Sequence, residues 1–312
     1  MGKYRDMDGR IRIAIVENPY TGNRPELPGH GIEFEFSDGP GIISGGGLLE
    51  RLESLGCNLV RRSTVQLELR EEQLYGTWYK LGHALGYLRE FVTDNQKNNC
   101  FTIGLHATCN SLTGMLAGLQ HSAGWEPLRV GLVWIDSHGD FNTPESSVSG
   151  LLGEMPVAVS SGLCLHRLRL QAGLDPPLPT RYITMAGLRK IYRFERELLD
   201  RSDIEFLSVD DLRTLSDKID HQMKRLCHLV DIVCIHVDMD VLDPAELPGT
   251  GFPEPDGPTS TELSAVLTLM LRYKKVAALG IASTPYKKDK DRIALNATYR
   301  LIEGAIRGIQ ER

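Results

Sequence analysis

The chain predicts an α/β fold: three layers, α/β/α, with a mostly parallel central sheet. Three observations carry this. Short apolar runs alternate with helically spaced stretches from end to end, the pattern of a sheet covered by helices. The runs at 129–135 (RVGLVWI) and 229–238 are largely apolar, which suits parallel strands buried on both faces. No linker or change of composition divides the 312 residues. One domain over 1–312 is therefore expected, with a closed barrel as the alternative architecture.

The elements follow in order. Residues 10–17 read as a first strand, and the Pro-, Gly- and Asn-rich stretch 18–43 as a loop bordering a site. A helix is expected over 48–55 and a strand over 58–62. Residues 70–94 read as a helix, with Leu81, Leu85 and Leu88 at helical spacing. A short strand at 101–104 enters a turn at His106–Cys109, then a helix at 110–120 and the strand 129–135. A long loop follows 142, and 156–168 is a helix or its approach. Strands at 182–186 and 204–208 flank a helix at 194–199. A helix at 211–228, the strand 229–238, a helix at 259–273, a strand at 275–283 and a terminal helix at 291–309 complete the chain.

Composition narrows the function. The chain is 41% apolar and 24% charged, with a net charge of −6. That gives no support for a nucleic-acid surface. No run of 18 apolar residues is present, so no membrane span is expected. The polar start lacks a secretory pattern, and Asp6 stands where a myristoylation signal needs Ser or Thr. The six cysteines show no CxxC spacing. A reducing cytoplasm is the expected location.

The chemistry concentrates in two acidic runs about 100 residues apart, Asp136-Ser-His138-Gly-Asp140-Phe-Asn142 and His236-Val-Asp238-Met-Asp240-Val-Leu-Asp243-Pro244. Each follows an apolar strand, and α/β sites form beyond the carboxyl ends of strands. Alternate residues of a strand share a face. Asp136, His138 and Asp140 would thus converge, opposite Asp238 and Asp240. Carboxylates packed this closely repel unless cations bind. The donors suit two divalent ions: Mn, Zn, Fe or Ni. Two such ions make a hydroxide from a water between them, and it would attack an electrophilic carbon. Asp140 would hold that nucleophile by a hydrogen bond. Asp243 and Pro244 are expected to fix a turn. His236 is a candidate donor to a ligand or a packed core histidine. Glu17, Asn18 and Tyr20 are candidates to line the pocket, with a structural turn as the rival role. Arg189 is expected in a structural salt bridge.

These runs resemble the DAHxDxN and SxDxDxxDP motifs of the ureohydrolase superfamily, which includes arginase, agmatinase and formiminoglutamase. The resemblance covers most of the chain, including the early Gly/Pro loop, 149–156 and the Ala-Leu-Asn-Ala-Thr of the terminal helix. It implies an arginase-like α/β/α fold, a binuclear manganese site and hydrolysis of a C–N bond in a small nitrogen-rich substrate. One metal would take residue 109, Asp136, Asp140 and Asp238. The other would take Asp136, His138, Asp238 and Asp240. Relatives form trimers or hexamers, so a homo-oligomer is an expectation.

Three departures from the pattern bear on the substrate. Cys109 stands where the family places a histidine ligand, and thiolate favours softer ions. His106 is the rival ligand and a candidate catalytic group. Gly153 replaces the proton-shuttle histidine of arginases, leaving the adjacent Glu154 as candidate proton carrier. Ser149 and Asn142 match substrate contacts of arginases, whereas Leu151 replaces an asparagine. Ala282 stands where a glutamate pairs with the guanidinium. A fixed cation without that carboxylate binds poorly. An N-hydroxyguanidine, amidine or formimino compound is therefore favoured over arginine. Hydroxyarginine-hydrolysing relatives share the cysteine. The alternatives are a biosynthetic enzyme with altered bond chemistry or a non-catalytic subunit.

Overall fold

The computed structural model describes residues 3–22, 36–74, 76–287 and 289–312. Much of the Gly/Pro-rich loop, residues 23–35, lies outside the described residues. In chain order the elements are β1 (Ile11–Asn18), α1 (Gly39–Ile43), α2 (Leu49–Ser54), β2 (Cys57–Thr64), α3 (Leu69–Glu72), α4 (Thr77–Lys97), β3 (Phe101–His106) and α5 (Leu112–Gln120). Then come β4 (Val130–Ile135), α6 (Pro156–Ser160), α7 (His166–Ala172), β5 (Ile183–Ala186), α8 (Arg193–Leu199), β6 (Glu205–Leu207), α9 (Val209–Arg213) and α10 (Asp217–Leu229). β7 (Ile232–Asp238), α11 (Ser260–Leu271), β8 (Val276–Ala282) and α12 (Ile293–Gln310) close the chain.

The eight strands form one sheet in the order β2-β1-β3-β8-β7-β4-β5-β6, with every neighbouring pair parallel. Among the described residues no pairing joins β2 to β6, so the sheet is open and not a barrel. Its middle strands β3, β8, β7 and β4 are buried along their whole length, while β2 and β6 at the edges are partly exposed. That is the burial expected where helices cover both faces. α4, α5 and α7 pack together on one side, and α10, α11 and α12 form the other layer.

Several elements differ from the sequence reading. The stretch 39–54 is helical earlier than expected: α1 runs into a wide turn at Ser44–Leu48 and on into α2. Gly76, at φ +97°, splits the helix expected over 70–94 into α3 and α4. Leu215, at φ +51°, separates α9 from α10, and Ser216 caps the latter through its hydroxyl. Gly162, at φ +78°, and Leu165, at φ +43°, lie in the break between α6 and α7. Left-handed residues that are not glycine carry no sequence signal strong enough to end a helix on paper. Among the described residues no helix is long and apolar enough to cross a membrane.

α11 and α12 approach backbone to backbone at Gly304 and Gly308. A Cβ on Gly308 would lie 2.4 Å from the Thr268 carbonyl oxygen and 2.7 Å from Leu271 Cβ. Gly308→Ala should therefore force the helices apart and destabilise the fold by about 1–3 kcal/mol. Urea unfolding with an unchanged midpoint would refute this close approach.

Candidate metal centre

The sheet order sets the carboxyl ends of β3, β8, β7 and β4 side by side. Each end delivers one part of the site. Cys109 opens the 3-10 turn Cys109–Ser111 after β3, and Asp136 directly follows β4. Asp238 ends β7, and Asp240 sits in the 3-10 turn behind it. Ser283 follows β8. The turn geometry is held by the acids themselves. Asp136 Oδ1 accepts the His138 amide at 2.7 Å, and Asp238 Oδ1 accepts the Asp240 amide at 3.0 Å.

Two donor groups result. Cys109, Asp136 and Asp238 form one triad, and Asp136, His138 and Asp240 the other; within each, the donor atoms lie within 4.8 Å of one another. Asp136 is common to both. Asp140 lines the same cavity but belongs to neither triad. Its backbone is left-handed, at φ +47°.

The candidate donors are also linked to one another and to neighbouring hydroxyls by hydrogen bonds. The Cys109 thiol donates to Asp238 Oδ2 at 2.8 Å, and Ser283 Oγ donates to the same oxygen at 2.7 Å. His138 Nδ1 sits 3.4 Å from Asp136 Oδ1 and 3.2 Å from Asp240 Oδ2. Ser137 Oγ donates to Asp240 Oδ1 at 2.7 Å. Burial, then the Asp240 charge, raises the Asp136 carboxyl well above the usual carboxylate range. Burial and Asp136 do the same to Asp140. Burial with the Asp240 charge pushes Asp238 up to about 7. Burial also presses on Asp240, but the His138 charge and hydrogen bonds from His138 and Ser137 hold it below its ordinary value. Burial disfavours charge on His138, yet Asp240 and Asp136 carry its pKa far upward. Burial, then Asp238, raises the Cys109 thiol well above its ordinary value. A buried cluster of this kind is stabilised by divalent cations, and its oxygen, nitrogen and sulfur donors fit them.

The cavity above the triads encloses about 740 Å³, including its open mouth. Asn142, Gly153, Glu154 and Glu195 supply polar wall, and Phe36, Leu151, Tyr192 and Phe252 apolar wall. Convergent polar groups set in an apolar wall suit a small molecule.

A sequence profile of the arginase family matches residues 96–305. The chain belongs to the arginase family. The arginase of Brevibacillus brevis is 28% identical over 225 residues, covering 69% of this chain and 73% of the relative. The arginase of Staphylococcus aureus (strain MRSA252) is 26% identical over 280 residues, covering 86% and 88%. The crystal structure of the Bacillus subtilis arginase superposes with a TM-score of 0.80 at 22% identity, covering 95% of this chain and 98% of that one. Family membership and the two clustered triads together mark a metal-dependent hydrolase of a small guanidine- or amidine-type C–N compound.

Within this family framework, some candidate residues lie away from the cavity. Glu17 is buried, accepting from Arg62 Nε at 2.6 Å and Thr64 Oγ1 at 2.8 Å. It ties β1 to β2 and is not among the lining residues. Asn18 donates to Ser111 at 2.9 Å and Tyr20 to Glu72 at 2.6 Å, so both fasten loops. His106 is fully buried behind Cys109, its ring parallel to His236, and does not line the cavity. Strand-end position predicted nearness, but these side chains turn away from the site. Ala282 is buried at the end of β8, and the adjacent Ser283 lines the cavity instead. Ser149 is exposed and does not line the cavity; it donates to Glu154 Oε1 at 2.7 Å, while Ser147 donates to Oε2 at 2.7 Å. Glu154 and Asn142 do line the cavity. Asp243 caps a turn by accepting the Ala245 amide at 3.0 Å. Arg189 makes no salt bridge among the described residues; it donates to the carbonyls of Gly187, Asp240, Val241 and Glu254.

Sequence reasoning missed Ser137, Ser283, Glu195 and Phe252. Ser137 carried a signal, lying between two candidate ligands. Glu195 carried none: it reaches the site by accepting the Phe141 amide at 3.0 Å, and burial raises its carboxyl.

Proposed function

We propose that this protein is a binuclear amidinohydrolase whose substrate is an N-hydroxyguanidine or a neutral amidine rather than free arginine. The shared position of Asp136 in two donor triads is the observation that carries the reading. Cys109, Asp136 and Asp238 would hold one ion, and Asp136, His138 and Asp240 the other, with Asp140 contributing from the cavity wall. Mn2+ suits the oxygen- and nitrogen-rich triad, whereas sulfur at Cys109 favours a softer ion. When bound, such ions act as Lewis acids and make water nucleophilic at neutral pH.

The chain's own residues do the rest. Asp140 accepts a hydrogen bond from the attacking water and orients it. Glu154, held by two serine hydroxyls, faces the cavity and carries the proton to the departing amine. Asn142 donates to the far end of the substrate. Gly153 leaves space where arginases have a histidine, and a larger or modified nitrogen group fits there. The substrate preference rests on Ala282, which offers no charge to a guanidinium. Six free cysteines suit a reducing cytoplasm, and a homo-oligomer accords with the family.

Metal analysis of the purified protein and of Cys109→Ser tests this, with urea and ammonia release measured on guanidines, N-hydroxyguanidines and amidines. Two ions per chain are expected in the wild type. Cys109→Ser should lose one of them, and N-hydroxyguanidines or amidines should turn over faster than arginine. One ion or none, without turnover, would replace the reading with a non-catalytic subunit.

A further inference from the structure

Behind Cys109, away from the cavity, lies a stack of three rings. His236 is completely buried, with its ring 4.8 Å from that of Trp134 at 7° and 6.0 Å from that of His106 at 4°. Its Nε2 lies 3.3 Å from Cys109 Sγ, and its Nδ1 has no partner among the described residues. The indole that supports the ring also donates from Nε1 to the His138 carbonyl oxygen at 3.2 Å. Gly280 makes room between the imidazoles: a Cβ there would stand 2.8 Å from His236 Nδ1 and 3.4 Å from His106 Nε2.

This geometry selects a tautomer. A neutral imidazole has one N–H, and burying an unmatched donor is costlier than burying an unmatched acceptor. The proton therefore belongs on Nε2, the nitrogen with an acceptor in reach. We propose that His236 is a positioning residue: its Nε2–H donates to the Cys109 sulfur and fixes the direction of that sulfur toward the ion of the Cys109–Asp136–Asp238 triad. The inference rests on the proposed ligation by Cys109. Trp134 holds the donor in plane and Gly280 leaves it the space. Ligand-orienting partners of this kind are worth about 10- to 100-fold in metal affinity. The N–H also draws electron density from sulfur, so its loss makes the thiolate a better electron donor.

Titration of the full-length protein with Co2+ reads both effects, since a cobalt thiolate has a charge-transfer band in the near ultraviolet. His236→Phe keeps a flat ring against Trp134 but removes the donor. It should move the band to longer wavelength and weaken binding about 10- to 100-fold. His236→Gln, which retains an N–H, should restore much of both. Gly280→Ala, which displaces the ring without deleting it, should act like His236→Phe. Far-UV circular dichroism identifies any variant that fails to fold, and the other variants then carry the test. A wild-type band unchanged in position and affinity in His236→Phe or Gly280→Ala would overturn the inference while leaving ligation by Cys109 intact. No such band in the wild type would overturn both.

Discussion

Asp136→Asn is expected to cost the protein both metal ions and its turnover. The side chain belongs to both triads, so its loss leaves each with two donors. Asparagine keeps the volume and one carbonyl oxygen, which can still accept the His138 amide that Asp136 Oδ1 holds at 2.7 Å. The turn should therefore survive while the negative charge goes. A Lewis-acid contribution of several kcal/mol corresponds to a rate loss of about 10³-fold or more. By contrast, His138→Asn should deplete only the ion at the second triad. Metal content of the two variants, with circular dichroism as a folding control, separates them. An Asp136→Asn protein that retained two ions would remove the shared-ligand arrangement.

The second large effect is a divergence between metal-free and metal-loaded stability as pH rises. The Asp238 carboxyl moves from an ordinary value of 3.8 to about 7 in the folded protein, through burial and the Asp240 charge. Between those values the metal-free folded state keeps a proton that the unfolded chain has released. Stability must then fall as pH rises through this window. Asp136 and Asp140 are shifted the same way and add to the decline. His138, whose pKa is raised, adds stability that is fully present below its unfolded value and diminishes above it. Asp240 opposes the trend only at the acid end, because its lowered pKa adds stability that is lost as pH falls.

Metal binding reverses the slope, since each acid must lose its proton to ligate. At a free ion concentration of 100 times Kd the gain is about 2.7 kcal/mol per site. Melting curves at several pH values, in chelator and in excess Mn2+, should therefore separate steadily from about pH 4 to pH 7. Parallel curves would show that the cluster does not bind ions.

The sheet was legible because its central strands are largely apolar and buried, with helically spaced stretches between them. Asp136, His138, Asp238 and Asp240 were legible because each stands at or just beyond the end of such a strand, where a run of burial turns abruptly to charge. Direction was harder to read. Glu17 and His106 lie on strand ends next to the site, yet Glu17 turns to Arg62 and His106 folds back toward His236. Period-2 alternation relates residues within one strand; it does not say which face meets the cavity. Glu195 reaches the cavity from a helix far from either acidic run in sequence, and Phe252 from the irregular segment after the second run, so only tertiary packing brings them there. The helix breaks at Gly76, at Gly162 and Leu165, and at Leu215 carry residues at positive φ, a local choice made by the surrounding fold.

The central position of the donors has a consequence for how such a protein can change over evolutionary time. The charged floor belongs to β4, β7 and the turns directly attached to them, so its geometry is as persistent as the middle of the sheet. Leu151, Glu154, Tyr192 and Phe252 come from connecting segments, which accept substitution more readily than the strands. Selection on the substrate can therefore rewrite the rim without renegotiating the floor. A lineage of such proteins can acquire new nitrogen-bearing substrates by drift in its loops while inheriting the carboxylates of its centre.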